Sequence, residues 1–474
     1  MIHQTIFTAG LFSIAASGLS QTKPNILLIL SDDHSVPQLG CYGNPDLKTP
    51  NLDWLAKEGI RFNRMYTTSP QSAPSRKSIL TGRSSIDLGV SRFTAPLPRD
   101  VITLPEKLRD AGYYTGFLGR MHHTDGPGKL TGISEQVFNE YNLRVAQDRV
   151  DHPISGRGDE RNTELFEEFL NAVPAGKSFF LQLSYSDPHR AWTASAFEPD
   201  PNKLHVPTRF PDTPLVRKDL AMCYGEIQRL DHNIGKVWEI LRNREILDNT
   251  IIIFMGDNGV ALLRGKGSLF ELGINVPFLI RWPGFIKADI VSDAILSAED
   301  ILPTLIEIAG AEMPEKVTGI SFLPVLKGEK TSVREYAFAA RSAHSSALPG
   351  SNGAFDQIRC VVGARYKLIY NALWNLPEYT PMADSHHKTD IARQMLNDLK
   401  NRQKAGTLPE KFNILFKTPR PIFEFYDLVH DPDEFNNLID NTKYETEIIK
   451  LKEVLQRQMI LNWDYLPLPV IDQD

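Results

Sequence analysis

Cysteine is scarce in this chain of 474 residues: Cys41, Cys223 and Cys360 are the only three. They are far apart and odd in number, which argues against a disulfide framework and reads as buried or free thiols. No segment reaches about 18 consecutive apolar residues, so no stretch is long enough for a membrane-spanning helix. Basic charge is not in excess either, since 52 Lys and Arg against 58 Asp and Glu leave a net charge of -6. That balance speaks against a nucleic-acid partner, yet it permits an anionic substrate held by a few convergent cations. Internal repeats and low-complexity tracts are missing, and no Gly-rich run fits the P-loop spacing of a nucleotide site.

What is present is the composition of a soluble globular protein, 42% hydrophobic and 23% charged. The length exceeds one ordinary domain, so a large domain with a smaller companion is expected. The first 20 residues carry Ile6, Phe7, Leu11, Phe12 and Ile14, then small residues up to Ser20. This pattern predicts a signal peptide over residues 1–20 and an exported protein, periplasmic or secreted. No cysteine follows it that would carry a lipid anchor.

Short apolar runs recur along the chain and end abruptly in polar residues. Residues 25–30 lead into Asp32-Asp33, 113–118 into Arg120-Met121-His122-His123, 178–183 into Asp187-Pro188-His189, and 250–255 into Asp257-Asn258. Apolar strands without alternation are covered on both faces. Helical segments are expected between them at 51–58, 104–111, 163–173, 217–244 and 297–308. The pattern predicts an α/β fold with a large mixed, mainly parallel sheet sandwiched by helices over residues 21–332. From 333 to 474 the texture changes to short strands at 335–340, 357–362 and 366–370, a polar excursion at 371–420 and a helix at 442–461. That portion is expected to be a smaller C-terminal α+β subdomain carrying an antiparallel sheet. In open α/β sheets ligands bind beyond the carboxyl ends of the strands, where the acids, histidines and arginine named above all fall.

The run Gln71-Ser72-Ala73-Pro74-Ser75-Arg76 adds a hydroxyl and a cation. Pro74 suits a first helical position, which places Ser72 just before a helix whose free N–H groups attract anions. Arg76 lies one turn on, within reach of Ser72. An ordinary capped helix would look the same. Asp32 and Asp33 together with Asp257 and Asn258 offer only hard oxygen ligands, which suit calcium or magnesium better than zinc. Either acidic pair alone also reads as a helix cap or a solvated turn.

The full run from Ser72 through Thr81-Gly82-Arg83 resembles the signature of the formylglycine-dependent sulfatases, type I enzymes of the alkaline phosphatase superfamily. In that family the first residue is oxidised to formylglycine after synthesis. Serine at position 72, where most members carry cysteine, implies the bacterial type of maturation and a formylglycine-generating maturase as partner. The resemblance implies one calcium ion among Asp32, Asp33, Asp257, Asn258 and residue 72. It implies an aldehyde hydrate whose one hydroxyl attacks sulfur and whose other later expels sulfate. Arg76 corresponds to the arginine that orients the hydrate, His122 to the base of a Lys-x-His motif, His189 to a general acid, and Lys266 in Gly265-Lys266-Gly267 to a lysine that grips sulfate. Arg120 stands where that motif has lysine, keeping the charge but changing its geometry. His123 is expected to face elsewhere on an extended chain and to be structural.

Further segments of similarity are Leu39-Gly40-Cys41-Tyr42-Gly43, Thr49-Pro50-Asn51, Trp282-Pro283-Gly284 and Tyr426-Asp427-Leu428. Asp187-Pro188-His189-Arg190, and Tyr370-Asn371 with Tyr379-Thr380-Pro381, resemble the heparan N-sulfatase branch. The expected activity is hydrolysis of sulfate esters or sulfamates of a sulfated oligosaccharide or polysaccharide. Arg190, Trp192, Arg341 and His344 are the candidates for contact with the sugar, because an aromatic face and cations suit a ring bearing acids. Two other functions stay open at this point. One is a phosphodiesterase or phosphonate hydrolase of the same superfamily, whose members often use histidine metal ligands. The other is a non-catalytic glycan-binding protein, if Ser72 is never oxidised.

Overall fold

The computed structural model describes residues 23–90, 96–125, 140–155, 158–343, 355–376 and 391–470. The predicted signal segment, His344 and the Tyr379-Thr380-Pro381 stretch lie outside them. Among the described residues a nine-stranded sheet forms the centre. Its order is Ile290–Ser292, Ile60–Tyr66, Asn275–Arg281, Thr250–Gly256, Asn25–Ser31, Phe179–Ser184, Tyr114–Leu118 and His152–Ile154, with Leu296–Ser297 as an extra partner of Ile60–Tyr66. Asn275–Arg281 runs antiparallel to both neighbours, and the remaining pairings are parallel. The sheet is therefore mixed and mainly parallel, as the apolar runs predict.

The central strand Asn25–Ser31 is buried along its whole length, because alternate residues serve two cores. Leu27 and Ile29 face the core under the 30-residue helix Pro214–Asn243, whereas Ile26, Leu28 and Leu30 face the core under Ile301–Ala309 and Leu104–Asp110. Thr213 caps the long helix by accepting from the Val216 amide, and Pro214 fills the first turn, where its missing N–H costs nothing.

Sequence reading did not assign five strands of this sheet: Ile60–Tyr66, His152–Ile154, Asn275–Arg281, Ile290–Ser292 and Leu296–Ser297. Asn275–Arg281 contains Pro277, which normally argues against a central strand. Here the register with Ile60–Tyr66 shifts between Phe62 and Met65, opposite Pro277, so the lost donor has no ladder partner to leave unpaired. The Tyr42 hydroxyl sits at this irregularity, accepting from the Phe278 amide at 2.9 Å and donating to the Phe62 carbonyl at 2.8 Å.

The C-terminal part forms a four-stranded antiparallel sheet in the order Ala337–Ala343, Phe355–Val362, Tyr366–Asn371 and Phe423–Asp427. The helix Glu445–Leu461 covers one face through Ile448, Leu451, Leu455 and Met459. The other face packs Ile358, Cys360, Ile369 and Tyr426 against Leu269, Phe270 and Ile274 of the larger N-terminal portion. The small sheet thus buttresses the loop that follows Lys266. Part of the expected polar excursion is regular: Ile391–Lys404 is a helix that buries Ala392, Met395, Leu396 and Leu399 against the main core.

Candidate active site

Four parallel strands end on one edge, and each delivers polar side chains to the same place. Asp32 and Asp33 follow Asn25–Ser31, Arg120 follows Tyr114–Leu118, His189 lies five residues beyond Phe179–Ser184, and Asp257 and Asn258 follow Thr250–Gly256. Two of the turns use left-handed backbone, Asp33 at φ 63° and Gly119 with Arg120 at φ 76° and 53°. A side chain on Gly119 would meet the Ser184 carbonyl at 2.5 Å, so glycine is what lets this turn close.

Ser72 opens the helix Ser72–Thr81. The sequence places this start two residues later, at Pro74; the helix begins at Ser72 itself, and Pro74 still falls in the first turn, where proline is tolerated. Every residue of the helix is buried, and Gly82 ends it at φ 65°. The Ser72 hydroxyl lies 2.8 Å from Asn258 Oδ1 and 3.2 Å from Asp32 Oδ1. The Asn258 amide donates to Asp33 Oδ1 at 2.9 Å, and the Asp33 backbone donates to Asp257 Oδ1 at 3.0 Å. All five predicted metal ligands are therefore brought together.

Three permanent cations surround them. Arg76 Nε is 2.7 Å from Asp257 Oδ2, Arg120 is 2.9 Å from Asp32 Oδ2, and Lys266 Nζ is 2.6 Å from Asp33 Oδ1. Burial disfavours charge on Arg76, but Asp257 and Asp32 outweigh it and hold its pKa above the ordinary value; Asp33 and Asp32 do the same for Lys266. Burial likewise pushes Asp257 up to about 6, with Asp32 adding to the effect. For Asp32 burial is opposed by Arg120, the two nearby histidines and Arg76, which together keep it well below the carboxylate range. Lys266 is set by a tight loop: its amide donates to the Val260 carbonyl at 2.7 Å, and Gly267 at φ 82° donates to the Pro70 carbonyl at 2.9 Å. A Cβ on Gly265 would lie 2.1 Å from the Val260 carbonyl oxygen, which explains the glycine before the lysine.

The residues fit a hard cation. Asp33 Oδ2 is buried and accepts no hydrogen bond, and Asp32 Oδ2, equally buried, has the Arg120 guanidinium 2.9 Å away. Asp32, Asp33 and His189 can converge on one point, as can Asp32, His123 and Asp257. Buried carboxylate oxygens left without donors are what an oxygen-ligated divalent ion would satisfy.

The histidines differ from expectation. His122 is exposed, while His123 is buried with Nε2 3.9 Å from Asp32 Oδ2. The cause is local: residues His122–Asp125 form a helical turn, not the extended chain that would aim alternate residues outward. Successive helical residues point about 100° apart, so only one of the pair faces inward. The two rings pack edge to face at 4.3 Å. Burial drives His123 well below its usual pKa, and burial with Lys266 lowers His189, whose Nε2 is 3.8 Å from Asp33 Oδ2.

Of the sugar-contact candidates, Arg190 pairs with Asp219 at 2.6 Å, donates to the Ala261 carbonyl and stacks on Trp192 at 3.6 Å. Trp192 is buried and donates to the Pro188 carbonyl. These two residues hold each other and the loop carrying His189. Arg341 is buried beside Asp356 and lines a cavity of about 470 Å³ between Gly267–Phe270 and the antiparallel sheet. Arg420, paired with Asp356 at 2.8 Å, lines it too and was not singled out in the sequence.

A hydroxyl among buried carboxylates, ringed by fixed cations and two imidazoles at the carboxyl edge of the sheet, is an arrangement suited to hydrolysis of anionic esters. Residues 24–311 match the Sulfatase family, and residues 263–414 match the C-terminal region of N-sulphoglucosamine sulphohydrolase. The chain belongs to the sulfatase family and is a sulfuric ester hydrolase. An ulvan-active sulfatase of Formosa agariphila is 29% identical over 94% of this chain and 76% of its own length. Human N-sulphoglucosamine sulphohydrolase is 27% identical over 93% and 91%. Among solved structures, a protein bound to its substrate D-glucosamine-2-N,6-O-disulfate shares the fold at a TM-score of 0.67 and 21% identity, covering 94% of this chain and 99% of the other. A phosphonate monoester hydrolase from Silicibacter pomeroyi shares it at 0.69 and 20% identity, over 93% and 96%.

Proposed function

We propose that this enzyme, exported by its N-terminal segment, removes sulfate from a sulfated oligosaccharide or polysaccharide, as an O-sulfate or an N-sulfate. The observation that carries the reading is the Ser72 hydroxyl within 3.2 Å of two metal-type oxygens, in a site with three fixed cations. In this reading Ser72 is converted to formylglycine by a maturase, and its hydrated aldehyde supplies the nucleophile that a plain serine lacks. Asp32, Asp33, Asp257, Asn258 and residue 72 would hold one calcium ion, which when bound would supply positive charge for the sulfuryl oxygens. Arg76 orients residue 72, while Arg120 and Lys266 neutralise the sulfate group. His189, at the more open side, protonates the leaving oxygen. The imidazole of His123, buried beside Asp32, takes the base role that the family resemblance assigned to His122. The names of the similar proteins, ulvan-active and N-sulphoglucosamine sulphohydrolase, support a glycan as the substrate class.

The test is a desulfation screen of protein purified from a host with the maturase, on defined sulfated oligosaccharides. Intact-mass analysis of the Ser72 peptide accompanies it, reading a loss of two hydrogens. Sulfate release with a modified Ser72 is expected. Hydrolysis of phosphate diesters or phosphonate monoesters without release of sulfate from the sulfated substrates would sink the reading in favour of the second superfamily activity, a solved example of which shares this fold. Saccharide binding by unmodified protein without turnover would instead identify a non-catalytic glycan binder.

A further inference from the structure

Asp159 is a buried carboxylate that touches none of the groups in the proposed chemistry. It sits at the start of a single turn, Asp159–Arg161, entered through Gly158 at φ 95°. All its strong contacts go to one place. Its oxygens accept from the Ser186 amide at 2.7 and 2.8 Å, from the Ser186 hydroxyl at 2.9 Å and from the Asp187 amide at 2.8 Å.

The same peptide faces the active centre with its other side. The Ser186 carbonyl accepts from the His189 amide at 2.8 Å and from the Arg120 guanidinium at 3.5 Å, and the Asp187 carbonyl accepts from the Asp32 amide at 3.1 Å. The turn 186–189 is therefore held on its N–H side by Asp159, and on its carbonyl side it anchors His189, Arg120 and Asp32. Opposite Asp159, Arg229 grips the Asp187 carboxylate with two bonds of 2.8 and 2.7 Å. The turn has no regular secondary structure of its own, so these outside contacts supply its rigidity.

We propose that Asp159 is a positioning residue for His189, acting through the Ser186 and Asp187 amides. This rests on the reading of His189 as the acid for the leaving oxygen. A carboxylate accepts in several directions at once, whereas an asparagine at the same place would turn an N–H₂ towards an amide N–H. Asp159→Asn keeps the shape and removes the clamp.

The predicted consequence depends on the leaving group. A sugar hydroxyl is a poor leaving group and needs the proton from His189, whereas 4-nitrophenolate leaves without one. In the matured holoenzyme, Asp159→Asn is expected to lower kcat on a sugar sulfate that the wild type cleaves by about 10- to 100-fold, the range for lost outer hydrogen bonds. Its KM should stay near the wild-type value, and kcat on 4-nitrophenyl sulfate should change far less. In a His189→Ala background the same substitution should cost far less than it does alone, since its main route to the chemistry is gone and only the weaker hold on Arg120 and Asp32 remains. Ser186→Ala, which removes only the hydroxyl contact, provides a milder probe with the same substrate preference, should Asp159→Asn fold poorly. Equal losses on both substrates, or losses that add to those of His189→Ala, would overturn the proposal alone. A His189→Ala enzyme with full activity on the sugar sulfate would overturn the acid assignment, and this inference with it.

Discussion

Replacing Arg76 by methionine tests whether the buried carboxylates are ionised in the folded protein. Arg76 is 1% exposed, with Nε 2.7 Å from Asp257 Oδ2, a second nitrogen 3.7 Å from Asp32 Oδ2 and a third donating to Ser184 at 3.1 Å. Methionine fills most of the space and leaves Asp257 without its partner. Removing one member of a buried ion pair costs about 3–5 kcal/mol. Unfolding entropy of about 2.1 cal/mol/K per residue gives roughly 1 kcal/mol/K for a chain of this length, so the melting temperature should fall by about 3–5 °C. The loss should also depend on pH. Without Arg76, Asp257 moves further above its value of about 6, so the folded variant binds more protons than its unfolded chain. Its stability then falls as pH rises from about 4 through that raised pKa, and the deficit against wild type is larger at pH 8 than at pH 5.5. The assay is urea denaturation of both proteins in EDTA at the two pH values, repeated with calcium. Calcium should recover part of the deficit by restoring positive charge beside Asp257. A variant as stable as wild type at pH 8 in EDTA would refute the argument, because it would mean that the carboxylate is not charged there. Arg76→Lys should recover some stability but not activity, since a point charge cannot span Asp257 and Ser184 together.

Three further outcomes follow from the same geometry. Ser72→Ala should abolish sulfate release while keeping saccharide binding measurable by calorimetry; residual turnover above background would remove residue 72 from the chemistry. Gly265→Ala places a methyl 2.1 Å from the Val260 carbonyl oxygen, which must shift the Lys266 loop. Activity should drop at least about tenfold, as expected for displacement of a charge-stabilising group, and unchanged kinetics would show that the loop position is immaterial. Lys77 is buried, which lowers its pKa to about 8, and the unfolded chain keeps its proton to about 10.4. Wild-type stability should therefore rise relative to Lys77→Met between pH 8 and 10, by up to about 3 kcal/mol at the upper limit; parallel pH profiles would contradict the burial of a charged lysine.

Much of the site was legible because apolar strand runs and their polar ends are short-range signals. Asp32, Asp33, Asp257 and Asn258 each directly follow a run such as 25–30 or 250–255, and the structure brings them to Ser72 as the parallel pairing requires. Asn275–Arg281 was hidden because Pro277 contradicts strand propensity, and only the irregularity opposite it, plugged by Tyr42, makes room. The inward turn of His123 follows from the helical turn His122–Asp125, which adjacent histidines do not announce. Asp159 and Arg229 lie 27 and 42 residues from the turn they hold, in segments with no motif, so only tertiary contact reveals them. The helix Ile391–Lys404 was read as polar excursion because its exposed face dominates the composition, while four residues at helical spacing meet the core.

The ion pairs around Ser72 have a bearing on turnover. Three carboxylates, Asp32, Asp33 and Asp257, face three permanent cations, Arg76, Arg120 and Lys266. These six groups are electrically even when the carboxylates are ionised. A single divalent ion bound among them would tip the balance to a surplus of two positive charges. A sulfate monoester brings one negative charge and the released sulfate ion two, so the product matches that surplus better than the substrate does. On charge alone the loaded centre grips what it has made more tightly than what it is about to cleave. Escape of sulfate would then be a slow step of turnover, and added inorganic sulfate or phosphate would compete with the substrate for the free centre.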